Sequence, residues 1–178
     1  MIKITEFSHT FFLDEDFHDE ILIDMTAGGG RDTLFLASIA RKVYAFDIQK
    51  SAIDSTRRLL DEHSIDNVVL INGDHSCVDE HVTEVIGGAI YNLGYLPQGD
   101  KAIRTQKETT IASLKKLFRL LKRGGIIVIV SYEKDDARES IGLQEYLSSL
   151  PSREYDVMKH ALINKKLSPY VITIRKLT

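Results

Sequence analysis

A chain of 178 residues, 43% hydrophobic and 28% charged, is long enough to bury a sizeable core and too mixed in composition for a fibrous or low-complexity protein. No apolar run approaches the roughly 20 residues of a transmembrane helix, the start Met1–Glu6 lacks the basic-then-apolar form of a signal peptide, and the lone Cys77 excludes an internal disulfide. With a formal net charge of only −3, a protein that coats nucleic acid nonspecifically is also excluded, and a cytoplasmic, membrane-free domain spanning residues 1–178 is expected.

In chain order, residues 1–20 read as a short helical lead-in with Phe7, Phe11, Phe12 and Phe17 as packing residues and His9 as an incidental surface or capping residue rather than a lid over a ligand. Ile21–Met25 is a predicted strand, followed by the glycine-rich stretch Asp24–Thr33 and a helix over Asp32–Ala40. Val43–Asp47 is the second strand. Ser51-Ala-Ile-Asp54 resembles a capping box opening a helix to Glu62 that buries Ile53, Thr56 and Leu60. Val68–Ile71 and Ala89–Leu93 are the third and fourth strands, and Thr105-Gln-Lys-Glu108 is a second capping box. Its helix carries Ile111, Leu114, Leu117, Phe118 and Leu121 on one face and is expected to stop at Gly124. Ile126–Val130 is wholly apolar, as in a sheet covered on both faces. Ala137–Leu150 is a helix ending before Pro151, and Glu154–Ile163 with Tyr170–Arg175 form an antiparallel hairpin. Five β-α repeats and a hairpin predict a doubly wound α/β domain with an antiparallel strand added.

In such sheets a ligand binds outside the carboxyl ends of the strands. The residues there are Asp24–Thr33, Asp47-Ile48-Gln49, Asp74-His75 and Asn92-Leu93-Gly94-Tyr95, all polar or glycine-rich. Gly28, Gly29 and Gly30 let the backbone take positive φ and let a ligand approach the start of the next helix. A dinucleotide is one reading, with Asp47 on the ribose, but Thr33 stands where the third glycine of the fingerprint belongs and no acid/base for hydride transfer is evident. S-adenosylmethionine fits better. Asp24 would repel a pyrophosphate yet hold an ammonium through charge-assisted hydrogen bonds. Asp47 and Gln49 can accept ribose hydroxyls, and Asp74 the adenine amino group, with His75 flanking the ring. Asp24 could instead only form the turn, and Asp74-His75 could be an Asx-turn without a ligand. His75, Cys77, Asp79 and His81 match no strong zinc spacing.

Charge is distributed unevenly: residues 1–98 hold 7 Lys and Arg against 17 Asp and Glu, residues 99–178 hold 16 against 9. Lys101, Arg104, Lys107, Lys115, Lys116, Arg119, Lys122 and Arg123 concentrate the excess, which reads either as a solvated helix face or as a phosphate-contacting patch. Lys101 and Arg104 are preferred for RNA because they adjoin the Asn92 loop. A noncatalytic RNA-binding protein would leave the aligned strand ends unexplained.

Asp24-Met-Thr-Ala-Gly-Gly-Gly-Arg-Asp-Thr33-Leu-Phe-Leu-Ala37, Val43-Tyr-Ala-Phe-Asp-Ile-Gln49, Asn92-Leu-Gly-Tyr-Leu-Pro-Gln-Gly-Asp-Lys101, Glu108-Thr109-Thr110 and Leu121-Lys-Arg-Gly-Gly125 together span nearly the whole chain. On these blocks the sequence resembles the rRNA methylase family of small class I S-adenosylmethionine-dependent methyltransferases, which includes enzymes converting 5-aminomethyluridine at tRNA wobble position 34 to 5-methylaminomethyluridine. The resemblance implies a Rossmann-like seven-stranded sheet, mostly parallel with an antiparallel C-terminal strand. It also implies S-adenosylmethionine as cofactor, held by Asp24, Gly28, Gly29, Gly30, Asp32, Thr33, Asp47, Gln49, Asp74 and His75. Asn92 and Tyr95 stand, without the two prolines, where amino-group methyltransferases carry Asp/Asn-Pro-Pro-Tyr/Phe: the match is of type and place, with the Asn oxygen accepting from the target amine and the aromatic ring stacking on the base. The implied partner is the anticodon region of tRNA; methylation of rRNA or a small molecule on the same site is the alternative. Gly29 departs from the family's Asn and Arg31 from its His, which leaves Gly29 a backbone contact only. The sheet edge beside the hairpin is a candidate surface for homodimer formation.

Overall fold

The computed structural model describes residues 3–94, 106–132, 137–165 and 167–178. Helix α1 (Ile4–Thr10) leads into β1 (Ile21–Asp24), α2 (Arg31–Ile39), β2 (Lys42–Asp47), α3 (Lys50–Glu62) and β3 (Val68–Asn72). A 3-10 turn at His75–Cys77 runs into the one-turn helix α4 (Val78–His81), then β4 (Ile86–Asn92), α5 (Lys107–Leu120), β5 (Leu121–Ser131), α6 (Ala137–Ser148), β6 (Tyr155–His160) and β7 (Tyr170–Lys176). The seven strands form one sheet in the order β3-β2-β1-β4-β5-β7-β6. Neighbours from β3 through β5 pair in parallel, and β7 runs antiparallel between β5 and β6. This is the doubly wound sheet with an antiparallel C-terminal strand that the alternation of elements and the resemblance both imply.

Period-2 patterning explains how one sheet builds two core layers. Ile21, Ile23, Tyr44, Phe46, Tyr91, Ile127 and Ile129 face α5 and α6, where Leu114, Leu117, Leu143 and Leu147 meet them. The alternate positions Leu22, Val43, Ile90, Val128 and Val130 face Phe12, Phe17, Leu36 and Ala37 on the other side. Residues 127–130 are fully buried, and each such side chain contributes roughly 1.5–3 kcal/mol of transfer free energy.

Several local readings change. The helix expected to run to Gly124 ends at Leu120, because Leu121 already has extended dihedrals (φ −67, ψ 126) and pairs with Ile86. Gly124 (φ 77) instead serves an irregularity inside β5, where the register shifts between Ile86 and Gly88. The strands pass so closely there that a Cβ on Gly88 would lie 2.6 Å from the Ile126 carbonyl oxygen. The first capping box is not seen, and the second begins at Thr105, beyond the described residues. Gln49 precedes α3 without a side-chain cap while Asp54 accepts from Lys50 at 2.9 Å, and Gln106 is the N-cap residue of α5. The 3-10 turn and α4 carry no periodic signal, being three and four residues long. Among the described residues of the lead-in, only Ile4–Thr10 is helical. Among the described residues no helix is long and apolar enough to cross a membrane.

Candidate active site

The sheet order reverses at β1, whose neighbours β2 and β4 depart to opposite sides, and ligands in open α/β sheets bind at such a switch point. The carboxyl ends of β3, β2, β1 and β4 therefore sit side by side, bringing Asp74, Asp47, Asp24 and Asn92 to one edge of the sheet.

After β1 the chain turns through Gly28 (φ 53) and Gly30 (φ 85), both in the left-handed region. Gly30 has a second reason to lack a side chain, since a Cβ there would meet Thr56 of α3 at 3.0 Å. Thr56, fully buried as expected, donates its hydroxyl to the Gly28 carbonyl at 3.2 Å, so α3 supports the turn from below. Gly29 needs no such allowance: its Cβ direction is open space.

Carboxylates hold the turn together. Asp47 accepts from the Gly28 amide at 2.9 Å and from the Gln49 amide at 2.8 Å, which ties the end of β2 to the loop after β1. Asn72 donates to the Asp47 and Ile48 carbonyls at 3.0 Å and fixes the same corner from β3. Asp24 has no exposed surface; its two oxygens accept from the Thr26 amide at 3.0 Å and the Thr33 hydroxyl at 2.6 Å. Burial first, then the charge of Asp32, pushes its carboxyl up to about 7 despite those two donors. Asp32, in the first turn of α2 and 6% exposed, lies between two partners: its Oδ1 is 2.7 Å from His9 Nε2 and its Oδ2 accepts from Asn92 Nδ2 at 3.3 Å. Asn92 also donates its backbone amide to the Thr26 hydroxyl at 2.7 Å, which locks the end of β4 to the loop after β1.

Asp74 accepts from the Ser76 amide at 2.7 Å, closing an Asx-turn and leaving its second oxygen outside that turn. His75 packs edge-on against Tyr91 with ring centroids 5.8 Å apart, and burial pushes its imidazole below the ordinary histidine range, so it is neutral at pH 7. Its Nε2 is buried without a hydrogen-bond partner, a costly state that a ligand atom would relieve. Ile48, between Asp47 and Gln49, is 58% exposed and offers an apolar surface beside the acidic corner.

Thus the structure gathers Asp24, Gly28, Gly29, Gly30, Asp32, Thr33, Asp47, Gln49, Asp74, His75 and Asn92 along adjoining strand ends. Tyr95, Lys101 and Arg104 lie outside the described residues. Three contacts of the network escape sequence reasoning. Thr26 and Thr56 act through hydroxyls that bridge loops, and His9 reaches Asp32 across 23 positions. His9 is not incidental: its ring lies flat on Phe35, centroids 3.9 Å apart and planes 3° from parallel. The basic stretch behaves differently from its composition. Lys116 pairs with Asp79 at 2.6 Å and Lys122 with Glu20 at 2.7 Å, and Lys115 sits over the Tyr146 ring. Of the residues weighed as metal ligands, Asp79 is spent on Lys116 and the His81 ring stands edge-on to Phe46.

This donor set suits a ligand with a cationic end, two hydroxyls and a flat base: acceptors cluster at Asp24, Asp32 and Asp47, and His75 offers an unused nitrogen. Comparison with known proteins agrees. A profile of the family described as "Putative rRNA methylase" matches residues 43–176. The chain is 35% identical over 190 residues to a chloroplastic tRNA (mnm(5)s(2)U34)-methyltransferase of Arabidopsis thaliana, covering 98% of this chain and 69% of that one. The crystal structure of a putative methyltransferase from Streptococcus mutans, in complex with SAH, superposes with a TM-score of 0.93 at 36% identity over 99% of both chains. That of a putative rRNA-methylase from Clostridium thermocellum gives 0.94 at 34% identity, over 99% of this chain and 100% of the other.

Proposed function

This chain belongs to the rRNA methylase family and is an S-adenosylmethionine-dependent methyltransferase; from that premise we propose that it methylates an amine on RNA, and specifically 5-aminomethyluridine at the wobble position of tRNA, giving 5-methylaminomethyluridine. The observation that carries this reading is the Asn92 carboxamide. Its nitrogen is held by the Asp32 carboxylate at 3.3 Å, which turns its oxygen away from Asp32 as an acceptor at the end of β4. An oxygen in that place accepts an N–H of a primary amine and leaves the lone pair to face the methyl donor. The Arabidopsis relative, whose description names the same uridine, supports the choice of acceptor.

The remaining residues take roles by chemistry and position. Asp47 and Gln49 hold the ribose of the cofactor, with carboxylate lone pairs still available beyond the two backbone amides that Asp47 accepts. Asp74 and the free Nε2 of His75 meet the adenine, and Ile48 covers its face. The Gly28–Gly30 turn, with Asp24, Asp32 and Thr33 behind it, holds the methionyl end. S-adenosylmethionine supplies the electrophilic methyl group when bound. The protein's share is to bind an unprotonated amine and align it with that methyl, and alignment of this kind accounts for most of the acceleration. Tyr95 stacks on the uracil, and Lys101 and Arg104 contact the anticodon-loop phosphates. One domain over residues 1–178, a cytoplasmic location, and a homodimer using the β6 edge, where Met158 is 54% exposed, complete the proposal.

The test is nucleoside mass spectrometry of tRNA from a strain lacking 5-methylaminomethyluridine, incubated with the purified protein and S-adenosylmethionine. The aminomethyl nucleoside should gain one methyl group. If it persists unchanged while the enzyme methylates rRNA or a small molecule, the wobble assignment is wrong and the cofactor site stands.

A further inference from the structure

Helix α1 lies outside the strand ends that build the site, yet it supplies the closest partner of a site carboxylate. We propose that His9, acting through Asp32, is a positioning residue that fixes which end of the Asn92 carboxamide meets the acceptor. The inference rests on the amine reading above.

An Asn side chain presents nearly the same shape whether its oxygen or its amino group points toward a substrate, so something must choose. The Asn92 backbone is fixed by the hydrogen bond its N–H donates to the Thr26 hydroxyl at 2.7 Å, which leaves the carboxamide orientation as the open variable. An ionised carboxylate only accepts. Asp32 Oδ2, 3.3 Å from Asn92 Nδ2, therefore draws the amino group to itself and sends the oxygen to the substrate side. With Asp32 turned aside, nothing would hold the Asn92 amino group, and it could swing toward the incoming amine. Two donors would then face each other, and the lone pair would lose its aim.

The aim of the Asp32 carboxylate, 6% exposed, is set by the groups that bond it. No lysine or arginine meets it among the described residues. His9 does, with Nε2 2.7 Å from Oδ1. Phe35 sets the angle of the imidazole by flat stacking at 3.9 Å. The helix that carries His9 is anchored in turn: Phe7 and Phe11 pack at 5.1 Å, Phe11 rests on His160 of β6 at 4.6 Å, and the Ser8 side chain is buried. A mere surface histidine would need none of this.

Three variants test it. His9→Phe keeps a flat ring over Phe35 and removes the nitrogen, His9→Gln returns an N–H near the Nε2 position, and His9→Phe/Asn92→Ala closes a double-mutant cycle. With aminomethyluridine tRNA, His9→Phe should lower kcat by about tenfold or more, as a misaimed group does, while the dissociation constant for SAH and the KM for tRNA stay within about twofold. His9→Gln should recover most of the loss. The double variant should be no slower than Asn92→Ala alone, because the two residues serve one contact. A second readout needs no substrate: in NMR spectra of the SAH-bound protein the Asn92 side-chain amide protons should exchange about tenfold faster in His9→Phe than in wild type. Unchanged exchange, additive losses in the cycle, or a kcat within twofold of wild type would overturn the inference. A wild-type enzyme that leaves aminomethyluridine untouched is a different failure, that of the amine reading, and the amide exchange still decides what His9 does to Asn92.

Discussion

The acidic residues at the carboxyl ends of β1, β2 and α2's first turn and the basic residues along α5 and the start of β5 solve the problem of charge in opposite ways. On the basic stretch, ions pair at the surface: Lys116 with Asp79, Lys122 with Glu20, and Lys107 with its neighbour Glu108 at 3.7 Å. At the strand ends Asp24, Asp32 and Asp47 converge, and among the described residues their donors are amides, a threonine hydroxyl, a carboxamide and His9 rather than Lys or Arg. Paired surface charge is structural and nearly neutral in effect. Asp24 and Asp32, buried, and Asp47, half-buried, are held without lysine or arginine and favour a cation where one arrives. A sulfonium and an ammonium are such cations. On the proposed reading, the contrast separates two functions of charge in this chain: the acidic corner serves the chemistry, and the paired lysines serve the fold.

The contrast is broken most directly at Asn92. If the acidic corner aims a substrate rather than merely holding the cofactor, Asn92→Ala should lower kcat by about 100-fold, the range seen when a positioned group is lost. Its dissociation constant for SAH, read by calorimetry, should stay within about threefold. Equal losses in kcat and affinity would make Asn92 a cofactor residue, and the corner would have one job instead of two.

Asp24→Asn sharpens it next. The Asp24 carboxyl is pushed up to about 7 in the folded protein, chiefly by burial and by Asp32. Between its ordinary value near 4 and about 7 the folded chain retains a proton that the unfolded chain releases. Its stabilising contribution is thus fully present in acid and is lost as pH rises through about 7. Asparagine, which never ionises and can still satisfy the Thr26 amide and the Thr33 hydroxyl, should raise the melting temperature of the ligand-free protein at pH 8 by about 3 °C or more, with little change at pH 5. The same substitution should weaken SAH binding at pH 8, because the charge that meets the ligand's ammonium group is gone. A pH-independent gain in stability would mean that packing, not ionisation, sets the effect.

Much of this arrangement is legible in sequence because it follows from short periods. The alternation in Ile21-Leu22-Ile23 assigns side chains to two sheet faces, and the unbroken apolar run at 126–130 marks a strand covered on both. The strand-end rule then selects Asp47, Asp74 and Asn92 without any knowledge of their contacts. Gly124 was harder to read, since a glycine after a helical run fits a helix stop as well as an irregular strand, and only the pairing of Leu121 with Ile86 decides. Ser51 and Asp54 fit a capping box, but Asp54 had a nearer partner in Lys50. His9 is the clearest loss. Its role depends on a stack with Phe35 and a bond to Asp32, and neither contact leaves a local pattern.

The smallest expected effect is the one that holds the comparison together. Lys116→Ala and Lys122→Ala each remove one member of a surface or half-exposed pair. Both should shift the melting temperature by less than about 2 °C, and neither should change tRNA affinity by more than about twofold, measured by filter binding at fixed salt. Phosphate contacts behave otherwise: losing one weakens binding across sequences and flattens the salt dependence. Should either lysine variant flatten that slope, its acidic partner is only a resting place that RNA displaces, and the α5 face joins the substrate surface. With an unchanged slope, the basic excess of the C-terminal half is accounted for on this face by Asp79 and Glu20, acids drawn from the N-terminal half of the same chain.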